Sequence, residues 1–274
     1  MFDLLREMLS YAFLLRALAV GVMVSLCSAL LGVTLVLKKY SMIGDGLSHV
    51  GFGAMTVALA LNVAPLYVAV PVMIVSAFLL LRLRQSSRFS GDAAVAIISA
   101  SSIAVGITAA SLAGGLNTDV YSYMFGSVLA VTREDVILAF VLCAAILTFF
   151  VLGYHRIFAF TFDPDFADAS GTHTRPFNMV FALLTAATIV VGMRVMGTML
   201  ISGLIVFPAV TAMRLSRSFR GVTVTAGVIS VAAFVIGMIA SYAFSYIPAG
   251  AGVVLANLLF LLLASLVGRL RKTG

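Results

Sequence analysis

Charge is scarce in this chain. Only 10% of its 274 residues are charged and 62% are hydrophobic, whereas a soluble globular protein carries roughly 25% charged residues. This composition excludes a soluble protein and predicts a polytopic integral membrane protein. No polar block is long enough for a separate soluble domain, so residues 1–274 are expected to form a single transmembrane domain.

Tryptophan is absent and cysteine occurs only twice. Tyrosine and phenylalanine must therefore supply the rings at the membrane interface, where tryptophan is usually enriched. Cys27 and Cys143 lie in separate apolar runs, so they indicate neither a disulfide framework nor a metal site. We interpret them as small buried hydrophobic residues.

The usual enzyme motifs are missing as well. There is no G-x-x-x-x-G-K-[ST] segment, so the chain carries no ATPase of its own. It also lacks H-E-x-x-H and G-x-S-x-G, and only one histidine lies deep in an apolar run, which leaves no usable set for a membrane protease. We predict that the chain is not an enzyme and holds no permanently bound cofactor.

The net charge of +7 does not indicate a nucleic-acid partner. Basic residues cluster at the ends of apolar runs, which is the positive-inside pattern of proteins embedded in lipid. No basic stripe is interleaved with aromatic residues. We expect the cytoplasmic side to hold Lys38 and Lys39, residues 82–88, 154–175 and 214–220, and the C-terminus.

Apolar runs long enough to cross a membrane, about 20 residues each, follow one another along the chain. They predict an all-α fold with eight or nine transmembrane helices, the count depending on whether Arg194 ends a span. Residues 120–131 are too short to cross and predict an interfacial helix. The expected spans are 17–37, 42–61, 66–81, 93–113, 136–153, 177–193 and 195–213, with two more between 222 and 268.

Asp45 and His49 are the polar exception inside an apolar run. Residues four apart on a helix share a face, so the two side chains would project together. A carboxylate in hydrocarbon costs about 2.5–3.5 kcal/mol, and such residues are usually functional. Carboxylate beside imidazole suits a divalent transition metal; the structural alternative is a polar pair that hydrogen-bonds a neighbouring helix.

Two ligands from one helix do not complete a coordination sphere. Asp119, just after the fourth span, is the best candidate for a third ligand, and its alternative is a helix N-cap. Gly44 and Ser48 lie on a face adjacent to the pair and would let another helix approach.

A short, well-bounded helix is predicted within residues 162–171. Asp163 fits the N-cap, Pro164 fits the first helical position, and Gly171 fits the residue past the end. The helix would expose Phe166 on the cytoplasmic side. It is interpreted as a docking helix for a soluble partner, with an ordinary interfacial helix as the alternative.

Pro208 lies inside an apolar run. Proline lacks the backbone N–H and kinks a helix. The kink is interpreted either as a packing feature or as the hinge of a gate.

Five segments, in order along nearly the whole chain, resemble the permease subunit of the ABC-3 family of zinc and manganese importers. Residues 41–49 are similar to the family's S-x-x-G-D-x-L-[SA]-H motif, and 118–135 to its D-L-x-x-Y-L-F-G segment. Residues 162–171 resemble the F-D-P-[ED]-x-A-x-A-x-G loop. The remaining likenesses are 195–212 to V-G-x-L-L with P-A-x-[TS]-A, and 248–251 to P-[TA]-G-x.

This resemblance implies a fold like that of type II ABC importers, in the cytoplasmic membrane. The implied partners are a second permease, in a homodimer or a pair, two cytoplasmic ATPase subunits that use ATP, and an extracytoplasmic metal-binding protein. Asp45, His49 and Asp119 would line the metal path. Residues 154–175 would form the coupling loop, whose docking helix comprises Asp163, Pro164, Asp165, Phe166, Ala167 and Gly171.

The expected mechanism is alternating access, with the spans rocking about kinks such as Pro208. Zn²⁺ is favoured slightly over Mn²⁺ as the imported ion, although residues 96–102 lack the fourth-span histidine that some zinc permeases carry. Two alternatives stay open. An ion-coupled secondary metal carrier would transport without ATP, and an ABC permease for a metal chelate would need a wider path.

Overall fold

The computed structural model describes residues 10–84, 91–115, 118–126, 131–171, 174–244 and 246–270. Every regular element within them is an α-helix, which confirms the predicted all-α fold. The helices are α1 (Ala12–Leu37), α2 (Ser41–Ala60), α3 (Pro65–Arg84), α4 (Gly91–Leu112), α5 (Thr118–Phe125), α6 (Arg133–Leu152), α7 (Tyr154–Phe162), α8 (Pro164–Ala169), α9 (Thr174–Met196), α10 (Thr198–Leu215), α11 (Phe219–Ala243) and α12 (Ala249–Leu270).

Seven helices of the described chain are long and apolar enough to cross a membrane: α1, α3, α4, α6, α9, α11 and α12. The helix α10 contains only a shorter apolar stretch, Leu200–Leu215, and α2 is diluted by glycine and by its two ionisable residues. The expected eight or nine spans therefore correspond to these seven plus the two polar or short helices. The multi-pass membrane character is confirmed.

The expected break at Arg194 is wrong. Arg194 lies inside α9, and the chain breaks at Gly197, which has a φ of 82° and caps the start of α10. The reason is steric, because a Cβ on Gly197 would lie 2.3 Å from the carbonyl oxygen of Met124. Only glycine allows the end of α5 to approach the break between α9 and α10 so closely.

The helices α1 and α9 form the centre of the bundle, and α3, α4, α6 and α12 expose apolar side chains on its outside. Glycine lets the helix that carries Asp45 pack closely against α4, since a Cβ on Gly53 would lie 2.5 Å from the carbonyl oxygen of Ser102. This close approach fixes α2 within the bundle without a hydrophobic force between helices.

The expected coupling loop, residues 154–175, is mostly helical, with α7, α8 and the first turn of α9 inside it. Phe158 and Phe162 of α7 contact Phe219 at the start of α11, and Lys38 contacts Phe160. Three of the basic segments predicted to share the cytoplasmic side therefore lie at one end of the bundle. The predicted interfacial helix is shorter than expected, because α5 ends at Phe125.

Candidate functional site

The structure brings Asp45 and His49 together on one face of α2. The Oδ2 atom of Asp45 lies 3.5 Å from Nε2 of His49, and their side chains are 38% and 17% exposed. The pair is thus accessible at the carboxylate and more enclosed at the imidazole. Such a face presents one oxygen and one nitrogen donor to a cation.

A small cavity of about 210 Å³ lies beside Asp45, between α2 and α10. Its lining includes Ser202 and Gly203 of α10, so the Ser202 side chain borders the same cavity as the Asp45 carboxylate. Gly44 of α2 lies against Ile205 of α10. This contact confirms that a small residue next to the pair lets a neighbouring helix approach. Sequence reasoning missed Ser202, since a serine in an apolar run carries no signal of its partner.

The structure does not place the start of α5 near this pair. Asp119 lies in the first turn of α5, and its side chain falls outside the described part of the structure. The adjacent Val120 lines a cavity with Thr56, and Thr56 is 11 residues beyond Asp45 on α2, a rise of about 16 Å. Within the described residues, no group of three His, Cys, Asp or Glu side chains forms a metal cluster.

The predicted short helix forms with the expected caps. The backbone N–H of Phe166 donates to Oδ1 of Asp163 at 2.9 Å, and Pro164 is the first helical residue. Gly171 has a φ of 85°, the left-handed conformation typical past a helix end. Asp165 and Phe166 are exposed, with Phe166 65% exposed, and Ala167 is buried. The predicted geometry of this helix, α8, is confirmed.

Asp168 links the C-terminal end of α8 to the start of α9 by hydrogen bonds. Its carboxylate accepts hydrogen bonds from the backbone N–H of Thr174 at 2.7 Å and from the Thr174 hydroxyl at 2.8 Å. Sequence reasoning missed this pair, because its spacing of six residues matches no helical repeat. The helix α8 is thereby held at both ends by carboxylates.

Lys38 occupies the turn between α1 and α2. Its ammonium donates to Oδ1 of Asn178 on α9 at 3.0 Å and lies 4.2 Å from the ring centroid of Phe160 on α7. Burial lowers the pKa of Lys38 from 10.5 to about 8, because the charged form loses hydration. The sequence signalled only a basic cluster here, and the inward orientation of this lysine was missed.

Arg194 pairs with Asp135 between α9 and α6. Asp135 also accepts hydrogen bonds from the backbone N–H and the hydroxyl of Thr132, both at 2.8 Å. This explains why an arginine can lie within a long apolar helix. A capping box at the start of α6 supplies its counter-charge.

Pro208 lies inside α10 and is buried. It follows Ser202, which lines the cavity beside Asp45, by six residues on the same helix. The helix that lines the cavity therefore contains a position where one backbone hydrogen bond is lost. A second internal proline, Pro71 in α3, was not singled out from the sequence.

Comparison with known proteins gives a consistent result over most of the chain. The profile of the ABC 3 transport family matches residues 10–268. The high-affinity zinc uptake system membrane protein ZnuB of Haemophilus influenzae is 29% identical over 95% of this chain and 99% of its own length. The manganese transport system membrane protein MntC of Listeria monocytogenes is 27% identical over 93% of this chain and 91% of its own length.

A solved structure resembles the fold just described. PsaBC from Streptococcus pneumoniae, determined in complex with Fab, superimposes with a TM-score of 0.84 at 25% sequence identity. The match covers 96% of this chain and 94% of that one. The likeness therefore extends through the whole bundle rather than through a single helix pair.

Proposed function

This chain belongs to the ABC 3 transport family, and from that membership we propose that it is the membrane permease of an ATP-driven importer for a divalent transition metal. Relatives named for zinc uptake and manganese transport match it over nearly their full lengths. The sequence has no phosphate-binding loop motif, and the proposal therefore assigns ATP hydrolysis to a separate subunit.

The Asp45–His49 pair is the observation that carries this proposal. Its carboxylate and imidazole are 3.5 Å apart beside a cavity, within an otherwise apolar helix bundle. Such a pair can replace part of the hydration shell of a divalent ion as the ion passes. Transport also requires that the ion can leave again, so the ligands must hold it only briefly.

A second copy of the chain would complete the site. The pair supplies two ligands, and zinc sites with three or four ligands are the rule. Two permeases facing each other would contribute two carboxylates and two imidazoles. We therefore propose a homodimer, with Asp119 as a further residue of the metal path at another level of the bundle.

The docking helix supplies the proposed contact with the ATPase subunits. Its exposed Phe166 and Asp165 project from a short helix held by Asp163 and Asp168. ATP-driven movement of α8 would rock the bundle, with Pro208 as a hinge in the helix that lines the cavity beside Asp45. An extracytoplasmic metal-binding protein would deliver the ion to the opposite end.

Zinc is the favoured ion, with manganese as the alternative. Imidazole suits zinc well, whereas manganese prefers oxygen ligands. The Asp45–His49 pair offers one donor of each kind, and His49 is the more enclosed of the two. Both ions should therefore be imported, and zinc should compete more strongly.

Uptake of radioactive Zn²⁺ and Mn²⁺ into proteoliposomes tests the proposal. The complete transporter should import zinc only when ATP is supplied. Asp45→Asn and His49→Ala should each lower uptake about tenfold or more, by loss of a charged or metal-binding contact. Glu134→Gln is the control for Asp45→Asn, because it removes an exposed carboxylate at the start of α6, outside both α2 and residues 154–175, and should leave uptake unchanged.

Three results would contradict the proposal. Full uptake by both site variants would mean that the metal path does not include Asp45 and His49 of α2. Uptake without ATP would favour an ion-coupled carrier. Uptake of a metal only as its chelate would favour a chelate permease.

A further inference from the structure

Lys38 contacts both helices that flank the docking helix. Its ammonium hydrogen-bonds with Asn178 of α9, which follows α8, and lies over the ring of Phe160 in α7, which precedes α8. An ammonium within about 6 Å of a ring face is attracted by the ring electrons, more strongly where water is excluded. One side chain thus joins the α1–α2 turn to both sides of α8.

The turn that carries Lys38 is closely hydrogen-bonded. The Tyr40 N–H donates to the Leu35 carbonyl at 2.7 Å and the Lys39 N–H donates to the Val36 carbonyl at 3.0 Å. These bonds form a Schellman motif, with Lys39 at a φ of 58° in the position that usually holds glycine. The Ile43 N–H then donates to the Tyr40 carbonyl at 3.0 Å, so the turn continues directly into α2.

The docking side is equally continuous. Asp163 is both the last cap of α7 and the first cap of α8, and Asp168 binds Thr174 at the start of α9. Phe160 is fully buried and packs against Phe177 and Phe181 of α9, with ring centroids 6.1 Å apart in each case. Phe160 therefore lies in the packed contact between the two helices to which the ends of α8 are joined.

We propose that Lys38 is a positioning residue that transmits movement of the docking helix to the helix bearing Asp45 and His49. The inference rests on the proposed function. Lys38 touches neither of those two residues nor the docking surface. It acts by holding the start of α2 against α7 and α9, so that α2 follows them when the ATPase subunits move.

The test measures metal ions imported per ATP hydrolysed by the reconstituted transporter. Lys38→Met retains an unbranched side chain but removes the ammonium, and import per ATP is expected to fall about tenfold, within the range for coupling residues. Lys38→Arg keeps a cation that stacks on aromatic rings and should recover most of the ratio. Lys39→Met removes the same charge from the adjacent, exposed lysine and should keep the ratio within about twofold.

A purely structural role predicts a different pattern. If Lys38→Met lost its ATPase subunits on purification, or if Lys39→Met lowered the ratio equally, the transmission role would be overturned. A wild-type ratio in Lys38→Met would overturn it as well. If Lys38→Met does not fold, Phe160→Leu replaces it, with import per ATP expected to fall about threefold; an unchanged ratio there would also refute the proposal.

Failure of the proposed function gives a separate signature. A wild-type transporter that hydrolyses ATP without importing Zn²⁺ or Mn²⁺ contradicts the metal-import function and the role of Lys38 together. Wild-type import with unchanged coupling in the variants contradicts only the role of Lys38.

Discussion

Charged side chains within this apolar bundle lie against specific partners. Asp45 contacts His49, Asp135 pairs with Arg194, and Lys38 lies over an aromatic ring. An isolated ionised group in apolar surroundings costs so much that it neutralises instead. Partners offset part of this cost, and under the proposed function the Asp45 carboxylate is one of the groups that contact the passing cation.

Lys38 is expected to titrate near pH 8. Burial lowers its pKa from 10.5 to about 8. Lys38, Lys39 and Lys272 are the only lysines, so methylation with ¹³C gives few NMR signals, and Lys38→Arg identifies the right one. A midpoint near that of an exposed lysine would contradict the enclosed position of the ammonium.

The lowered pKa of Lys38 also determines how its contribution to stability changes with pH. Because the folded pKa is the lower one, the unfolded chain binds more protons between pH 8 and 10.5. The contribution of Lys38 to stability therefore rises with pH in that window. Lys38→Met should flatten this rise in thermal unfolding, whereas Lys39→Met should preserve it.

At the scale of the elements, helix ends determine much of the geometry. The helices α1 and α2 end in Schellman motifs with Lys39 and Asn62 at positive φ, and α8 ends with Gly171 at positive φ. Such ends satisfy carbonyl groups that the helix itself leaves unpaired. They also set the direction in which the chain leaves, and thus where the next helix begins.

The proposed docking helix, α8, should depend on its cap for stability and on its exposed ring for contact with the ATPase subunits. Asp163→Ala removes the bond from the Phe166 N–H and should destabilise α8 by about 0.5–2 kcal/mol. Phe166→Ala keeps the cap and removes only the exposed ring. Both variants should lower the ratio of ATPase to permease after purification in detergent.

Phe244→Ala is the control for the exposed ring. Phe244 is 51% exposed and follows α11 at the end opposite Phe219, about 37 Å away. Its loss should leave the ATPase ratio unchanged. Equal losses in both phenylalanine variants would mean that exposed rings aid recovery of the protein in general and not docking.

At the scale of the whole molecule, the sequence predicted elements better than their contacts. Apolar runs located the long helices, and local rules located the caps at Asp163 and Gly171. Side-chain pairs between distant elements, such as Arg194 with Asp135, were not predicted, because helical periodicity says nothing about which helices meet. The break at Gly197 was missed for the same reason, since it depends on the approach of α5.

In the candidate site, too, features within one helix were predicted and contacts between helices were not. Asp45 and His49 lie on one helix, so their spacing alone predicted their contact. Ser202 lies on another helix, lines the cavity beside Asp45 and gave no sequence signal. Asp119 was joined to the pair by chain order and family likeness, and the packing of Val120 places that part of α5 at another level of α2.

Breaking the ion pair between α6 and α9 should destabilise the bundle strongly. Arg194→Met leaves Asp135 buried without its cation, which is expected to cost about 3–5 kcal/mol. Adding Asp135→Asn should restore part of that loss. Arg214→Met, which removes an exposed arginine, is the control and should have little effect.

The two cysteines provide a way to measure this change in stability. Cys27 and Cys143 are buried, so a thiol-reactive dye reports their exposure as the bundle unfolds on heating. The midpoint should fall for Arg194→Met and recover partly in the double variant. An unchanged midpoint for Arg194→Met would mean that the pair contributes no net stability.

Asp163 caps both α7 and α8, so no other residue separates the two helices. The number of residues at this corner therefore determines how α8 is rotated relative to α7. Each residue of a helix turns the chain by about 100°. An insertion beside Asp163 would leave α7 in place and rotate α8, so that the exposed ring of Phe166 would point in a different direction. Permeases that share this corner without gaps should thus accept one another's ATPase subunits more readily than overall identity indicates.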